Sequence, residues 1–124
     1  MNAIKISSGN YSVNAELKAT RTASTIFQNL PIKGKAQRWG DEIYFTIPIK
    51  VELEAEATDR LRVGELGYWP PGNAFCIFFG KTPASVDNEP RAASKVNVFG
   101  KLVSVDAGKL RKINDGDEII IGEA

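Results

Sequence analysis

Residues 67–83 read GYWPPGNAFCIFFGKTP, and the fold turns on how this stretch divides. The break falls at Pro70-Pro71-Gly72-Asn73, four turn-forming residues in succession. Beyond it, residues 74–79 form an apolar run too short for a typical helix and bounded by turn signals, which predicts a central strand buried on both faces. Before it, residues 66–69 form a second strand, in which the consecutive Tyr68 and Trp69 must point to opposite faces of the pleat. One of the two therefore serves the core, and the other caps a barrel end or lines a pocket. Phe75, Phe78 and Phe79 are core residues first, because phenylalanine is so readily buried. Cys76, with apolar neighbours, reads as a small buried hydrophobe rather than a reactive thiolate.

Working outward, residues 1–20 read as a hairpin. Ile4 and Ile6 alternate with polar residues, Gly9-Asn10 is a two-residue turn signal, and Tyr11, Val13, Ala15, Leu17 and Ala19 then alternate with polar partners. From Thr22 the period changes: Ala23, Ile26, Phe27 and Leu30 fall at helical spacing, Thr22 is the candidate cap, and Pro31 ends the helix. Gly40-Asp41 separates two strand-like runs, the second with Ile43, Phe45, Ile47 and Ile49 on one face and Pro48 at an edge or bulge. Residues 50–57 alternate charged side chains with Val51, Leu53, Ala55 and Ala57, a period of two that predicts another strand with an acidic solvent face. Residues 80–95 read as one long loop, and loops of that length in small domains are often functional. After a strand over 96–105, Asp106 caps a brief helix carrying Leu110 and Ile113, and Asp115-Gly116 turns into a final strand. About eight strands and two short helices predict a mainly β, closed antiparallel barrel, since closure removes exposed edges.

At 124 residues the chain fits one domain spanning 1–124, large enough for a single packed core. Sixteen basic against fifteen acidic side chains leave no field to attract nucleic acid. No window approaches the ~18 apolar residues of a membrane span, and the first residues do not form a secretory signal, so the expected setting is the cytoplasm, away from membranes. The chain contains no histidine. That removes the commonest general base and a common zinc ligand, and one cysteine cannot replace it. Neither a metal nor any other cofactor is implied. Two weak signals carry little: KGKAQRW, at 33–39, lacks the stacking series of a single-strand nucleic-acid binder, and Glu52, Glu54 and Glu56 fit a solvated strand face.

The segments GELGYWPPGN from Gly64, FFGKTP from Phe78 and AASKVNVFGKL from Ala92 resemble the recurring pattern of small prokaryotic cyclophilin-like proteins of unknown function. The resemblance covers residues 64–102 almost throughout, with the flanks agreeing in strand order. It implies a cyclophilin-like barrel, but not prolyl isomerisation. The isomerases' Phe-His-Arg segment has no counterpart. Along the ungapped match their glutamine falls on Ala74, the pocket phenylalanine on Cys76, the tryptophan near Arg91 and the histidine on Val96.

The expected function is therefore a non-catalytic binding module for a small molecule or peptide segment, at a cleft rimmed by Glu65, Tyr68, Trp69, Phe79, Thr82 and Arg91. Aromatic faces with a few convergent polar groups are what such a pocket needs. Glu65 reads either as a turn residue capping backbone N–H groups or as an acceptor for a ligand amine or hydroxyl. Arg91 could fork onto a carboxylate or phosphate. The alternative is an enzyme: a divergent isomerase, or a hydrolase relying on the Glu65 carboxylate.

Overall fold

The computed structural model describes residues 2–124. In chain order the strands are β1 (Ala3–Ser8), β2 (Tyr11–Leu17), β3 (Ile32–Lys35), β4 (Gln37–Trp39), β5 (Glu42–Thr46), β6 (Thr58–Arg60), β7 (Glu65–Trp69), β8 (Ala74–Phe78), β9 (Arg91–Leu102) and β10 (Glu118–Glu123). Two short α-helices, α1 (Arg21–Gln28) and α2 (Ala107–Leu110), and a single 3-10 turn at Pro70–Gly72 are the helical elements among the described residues. The strands form one antiparallel sheet in the order β3-β10-β1-β2-β9-β7-β8-β5-β4, with β6 paired to β9 off this path.

Among the described residues the sheet departs from the expected barrel in strand number, ten rather than about eight, and in closure, because hydrogen bonds do not complete the ring. Its two end strands, β3 and β4, are separated in sequence by Ala36 alone. The Ala36 N–H donates to the Asp117 carbonyl at 2.8 Å and its carbonyl accepts from Gly116 at 2.8 Å, so the turn before β10 takes the groups that would have continued a ladder. Packing fills the seam instead. A Cβ at Gly34 would lie 2.5 Å from Cδ2 of Phe45, so glycine is what lets that ring close across from β5 to β3.

The predicted central strand is fully buried as β8, between β5 and β7. Its alternation splits the core. Phe75 and Ile77 enter the larger cluster with Phe45, Leu66, Tyr68, Phe79 and Phe99, where Phe75 stacks on Phe45 at 5.1 Å and meets Phe99 edge-on at 5.0 Å. Ala74, Cys76 and Phe78 point the other way, into a smaller cluster with Leu61, Ala92 and Val96.

Several boundaries move. Thr20, not Thr22, caps α1, its hydroxyl accepting from Ala23 N–H at 3.1 Å. Thr22 is buried, and both its N–H and its hydroxyl donate to the Glu54 carboxylate. Asp106 caps α2 as expected. The predicted strand over 50–57 does not form, because side chains take the place of a pairing strand. The Tyr68 hydroxyl donates to the Ile49 carbonyl at 2.7 Å and accepts from Val51 N–H at 3.3 Å. Asn97 accepts from Glu54 N–H at 2.8 Å and donates to the Glu52 carbonyl at 2.9 Å. The long loop is also shorter than expected, since β9 already begins at Arg91.

Candidate functional site

Ile43 and Phe45 face the larger core, so Glu42 and Tyr44 of the same strand emerge on the outer face. The two-residue turn at Gly40-Asp41, with Gly40 at φ 60°, sets Trp39 directly opposite Glu42. The next strand brings Cys76 opposite Tyr44, and Trp69 of β7 pairs with Ala74 beyond it. Trp39, Glu42, Tyr44, Trp69 and Ala93 thereby line a cavity of about 200 Å³ above the smaller hydrophobic cluster. Three aromatic side chains and one carboxylate meet there.

Trp69 is fixed in place. Its indole N–H donates to the Ser94 hydroxyl at 2.7 Å, and the ring lies so close to Gly72 that a Cβ there would sit 3.1 Å from it. Glu42 is 6% exposed, yet among the described residues no lysine or arginine pairs with it. The cations nearby are spent on its neighbour Asp41, which Arg38 reaches at 3.4 Å and Arg111 at 2.9 Å. Burial pushes the Glu42 carboxyl up to about 7, against a lesser opposing pull from the adjacent Cys76 thiol. Burial, and then the Glu42 charge, push that thiol well above its ordinary value, so Cys76 is no ready nucleophile.

Of the residues expected to rim one cleft, Trp69 alone lines this pocket. Glu65 lies elsewhere, accepting from Arg62 N–H at 2.8 Å and bordering a depression shared with Lys18, Arg62 and Lys101. Tyr68 is fully buried on the core face, for its hydroxyl is the partner of residues 49 and 51. Phe79 is 2% exposed, under the Arg38 guanidinium at 5.3 Å. Thr82 is buried within its own loop, its hydroxyl donating to the Arg91 carbonyl and its N–H to Ser85 Oγ. Arg91 starts β9 opposite Arg60. Trp39, Glu42, Tyr44 and Ala93 escaped the sequence reading. The signal for the first three was the hairpin turn: a two-residue turn at 40–41 makes 39 and 42 cross-strand neighbours, and core-facing Ile43 puts 42 and 44 outside. Ala74, Cys76 and Val96, onto which the isomerase site residues fall, are all buried in the smaller cluster beneath this face.

Fold and site together define a small mainly β domain with a cyclophilin-like architecture and an aromatic pocket on the outer face of its sheet. The chain belongs to the Cyclophilin-like family, whose family model matches residues 2–122. It is similar to the hypothetical protein AF2241 from Archaeoglobus fulgidus, known as a solution structure. The two share 41% identity over 99% of this chain and 95% of that one, with a TM-score of 0.83. The structure of McbB in complex with tryptophan matches at a TM-score of 0.71 and 14% identity, a likeness of fold alone that covers 96% of this chain and 44% of that one. A comparison with curated proteins gives no match.

Proposed function

We propose that the protein is a binding module that holds a small ligand, or one protruding group of a larger one, between Trp39, Tyr44 and Trp69, with Glu42 as the polar contact. The observation that carries this reading is a carboxylate 6% exposed, with no cationic partner among the described residues, opening into a pocket of three aromatic side chains. Burying a charged or polar group without a partner is costly, and a ligand group that supplies the partner recovers that cost. The volume favours a head group over an extended peptide, since about 200 Å³ lies below the roughly 300 Å³ at which ordinary small-molecule pockets begin. Binding is preferred to isomerisation because Ala74, Cys76 and Val96 offer no strong hydrogen-bond donor where the isomerases have theirs.

The test is native mass spectrometry of freshly purified protein, followed by intrinsic-fluorescence titration with a panel of small solutes. Tryptophan, which joins an aromatic ring to an ammonium but is itself fluorescent, is tested by the mass-spectrometric arm alone. Both tryptophans of the chain line the pocket, so emission reports its occupancy without background from elsewhere. A retained mass, or a saturable emission change abolished by Trp69→Ala, is the expected result. A silent panel with no retained mass overturns the reading.

A further inference from the structure

We infer that the group this pocket takes is an alkylated ammonium, with the Glu42 carboxylate as its counter-charge. The inference rests on the binding reading above and narrows it to one chemistry.

Three features of the pocket converge on that group. Aromatic rings attract cations through the negative face of the ring, with tryptophan the strongest, and two of the three rings here are indoles. Glu42 supplies a negative charge in a place where water does not fully screen it, and Asp41 has already taken Arg38 and Arg111. The pocket also has few side-chain acceptors: of its five lining residues only Glu42, with its carboxylate, and Tyr44, with its hydroxyl, carry a side-chain oxygen, and indole accepts nothing.

That scarcity decides among cations. A guanidinium carries five N–H donors and a primary ammonium three, to be shared here between one carboxylate and one hydroxyl. An ammonium whose hydrogens are replaced by methyl groups has few or no donors to satisfy. It presents apolar surface to the indoles and keeps its charge for Glu42. Neutral ligands fit less well, because they would cover Glu42 without pairing it. Size agrees as well, since about 200 Å³ is roughly the volume of seven liquid waters, room for a small substituted head group.

Such a head group can belong to a free solute or to a methylated lysine on a peptide, and the experiment separates the two. Wild-type protein at pH 8 is titrated by intrinsic fluorescence with tetramethylammonium, with choline, with 3,3-dimethylbutanol as the neutral carbon isostere of choline, and with a short peptide carrying trimethyl-lysine. The expected result is saturable binding of an ammonium at least tenfold tighter than of the isostere. Glu42→Gln should remove that preference by weakening the ammonium's binding, with the far-UV circular dichroism intact. Choline binding without the peptide assigns a free solute, and peptide binding without choline assigns a methylated side chain. Equal binding of choline and its isostere, or an ammonium affinity that survives Glu42→Gln, overturns the cation inference and leaves the pocket reading standing. No saturable response to charged and neutral probes alike, together with no retained mass, overturns both.

Discussion

Trp39 and Glu42 stand directly opposite one another across the two-residue turn between β4 and β5, placing an indole beside a carboxyl group whose pKa is raised to about 7. Ionisation of Glu42 changes the local field at that ring and at Trp69 across the pocket. Intrinsic tryptophan emission should therefore follow a titration with a midpoint near 7, and Glu42→Gln should flatten it. A wild-type emission curve without a step between pH 6 and 8 would contradict the buried, unpaired state of this carboxyl.

The same group makes stability depend on pH. Its folded pKa of about 7 lies above its ordinary value of 4.5, so between those limits the folded state holds a proton that the unfolded state has released. The contribution is present in full below about 4.5 and is lost as pH rises through 7. It amounts to roughly 3 kcal/mol. The groups around Glu42 do not reverse this sign: Cys76 is held neutral, Tyr44 lies beside it, and Asp41 is paired with Arg38 and Arg111. Chemical denaturation should show Glu42→Gln stabilising the protein at pH 8 and changing it little at pH 4.5.

Tyr68 is a core residue whose hydroxyl serves the backbone at residues 49 and 51. Tyr68→Phe keeps the ring and strands a carbonyl and an N–H, at a cost of roughly 1–3 kcal/mol. Thermal unfolding measures the loss. Tryptophan-monitored ligand binding should survive it, because Tyr68 faces away from the pocket.

Asn97 holds residues 52 and 54 and also donates to the Thr22 hydroxyl at 3.0 Å. Asn97→Ala removes all three bonds at a buried site and should cost about 3 kcal/mol. Amide hydrogen exchange at Glu54 should accelerate well before exchange in β8 does. Equal acceleration in both would mean that the segment opens only with the whole fold.

Gly34→Ala tests the packed seam. A methyl group would meet the Phe45 ring at 2.5 Å, and displacing that ring from a filled core should cost roughly 1–3 kcal/mol. A neutral result by thermal unfolding would show that Phe45 yields without penalty and that the seam is loosely filled.

What the sequence disclosed is what is local. The turn at 70–73 and the apolar run after it identified β8, and Gly9-Asn10 identified the first hairpin, because each signal lies within a few residues of the structure it makes. Residues 50–57 misled for the opposite reason. Their alternation has a strand's period, but whether a strand forms depends on a partner, and here the hydroxyl of Tyr68 and the amide of Asn97 occupy that role. The pocket was half legible. Trp39, Glu42 and Tyr44 share a face by hairpin arithmetic, whereas Trp69 reaches them only because β8 inserts between β5 and β7, a pairing that no short window of sequence encodes.

The strand order has a consequence for the order of synthesis. Both β1 and β3 lie early in the chain, and both pair with β10, which is made after the other strands of the sheet. Throughout elongation the β1–β2 hairpin must wait with one edge open, and Ile4 and Ile6 remain without their neighbours Ile119 and Ile121. A nascent edge of that kind invites pairing with another chain. The charge of Lys5 within β1, and of Lys33 and Lys35 within β3, sits where it discourages such pairing until β10 arrives.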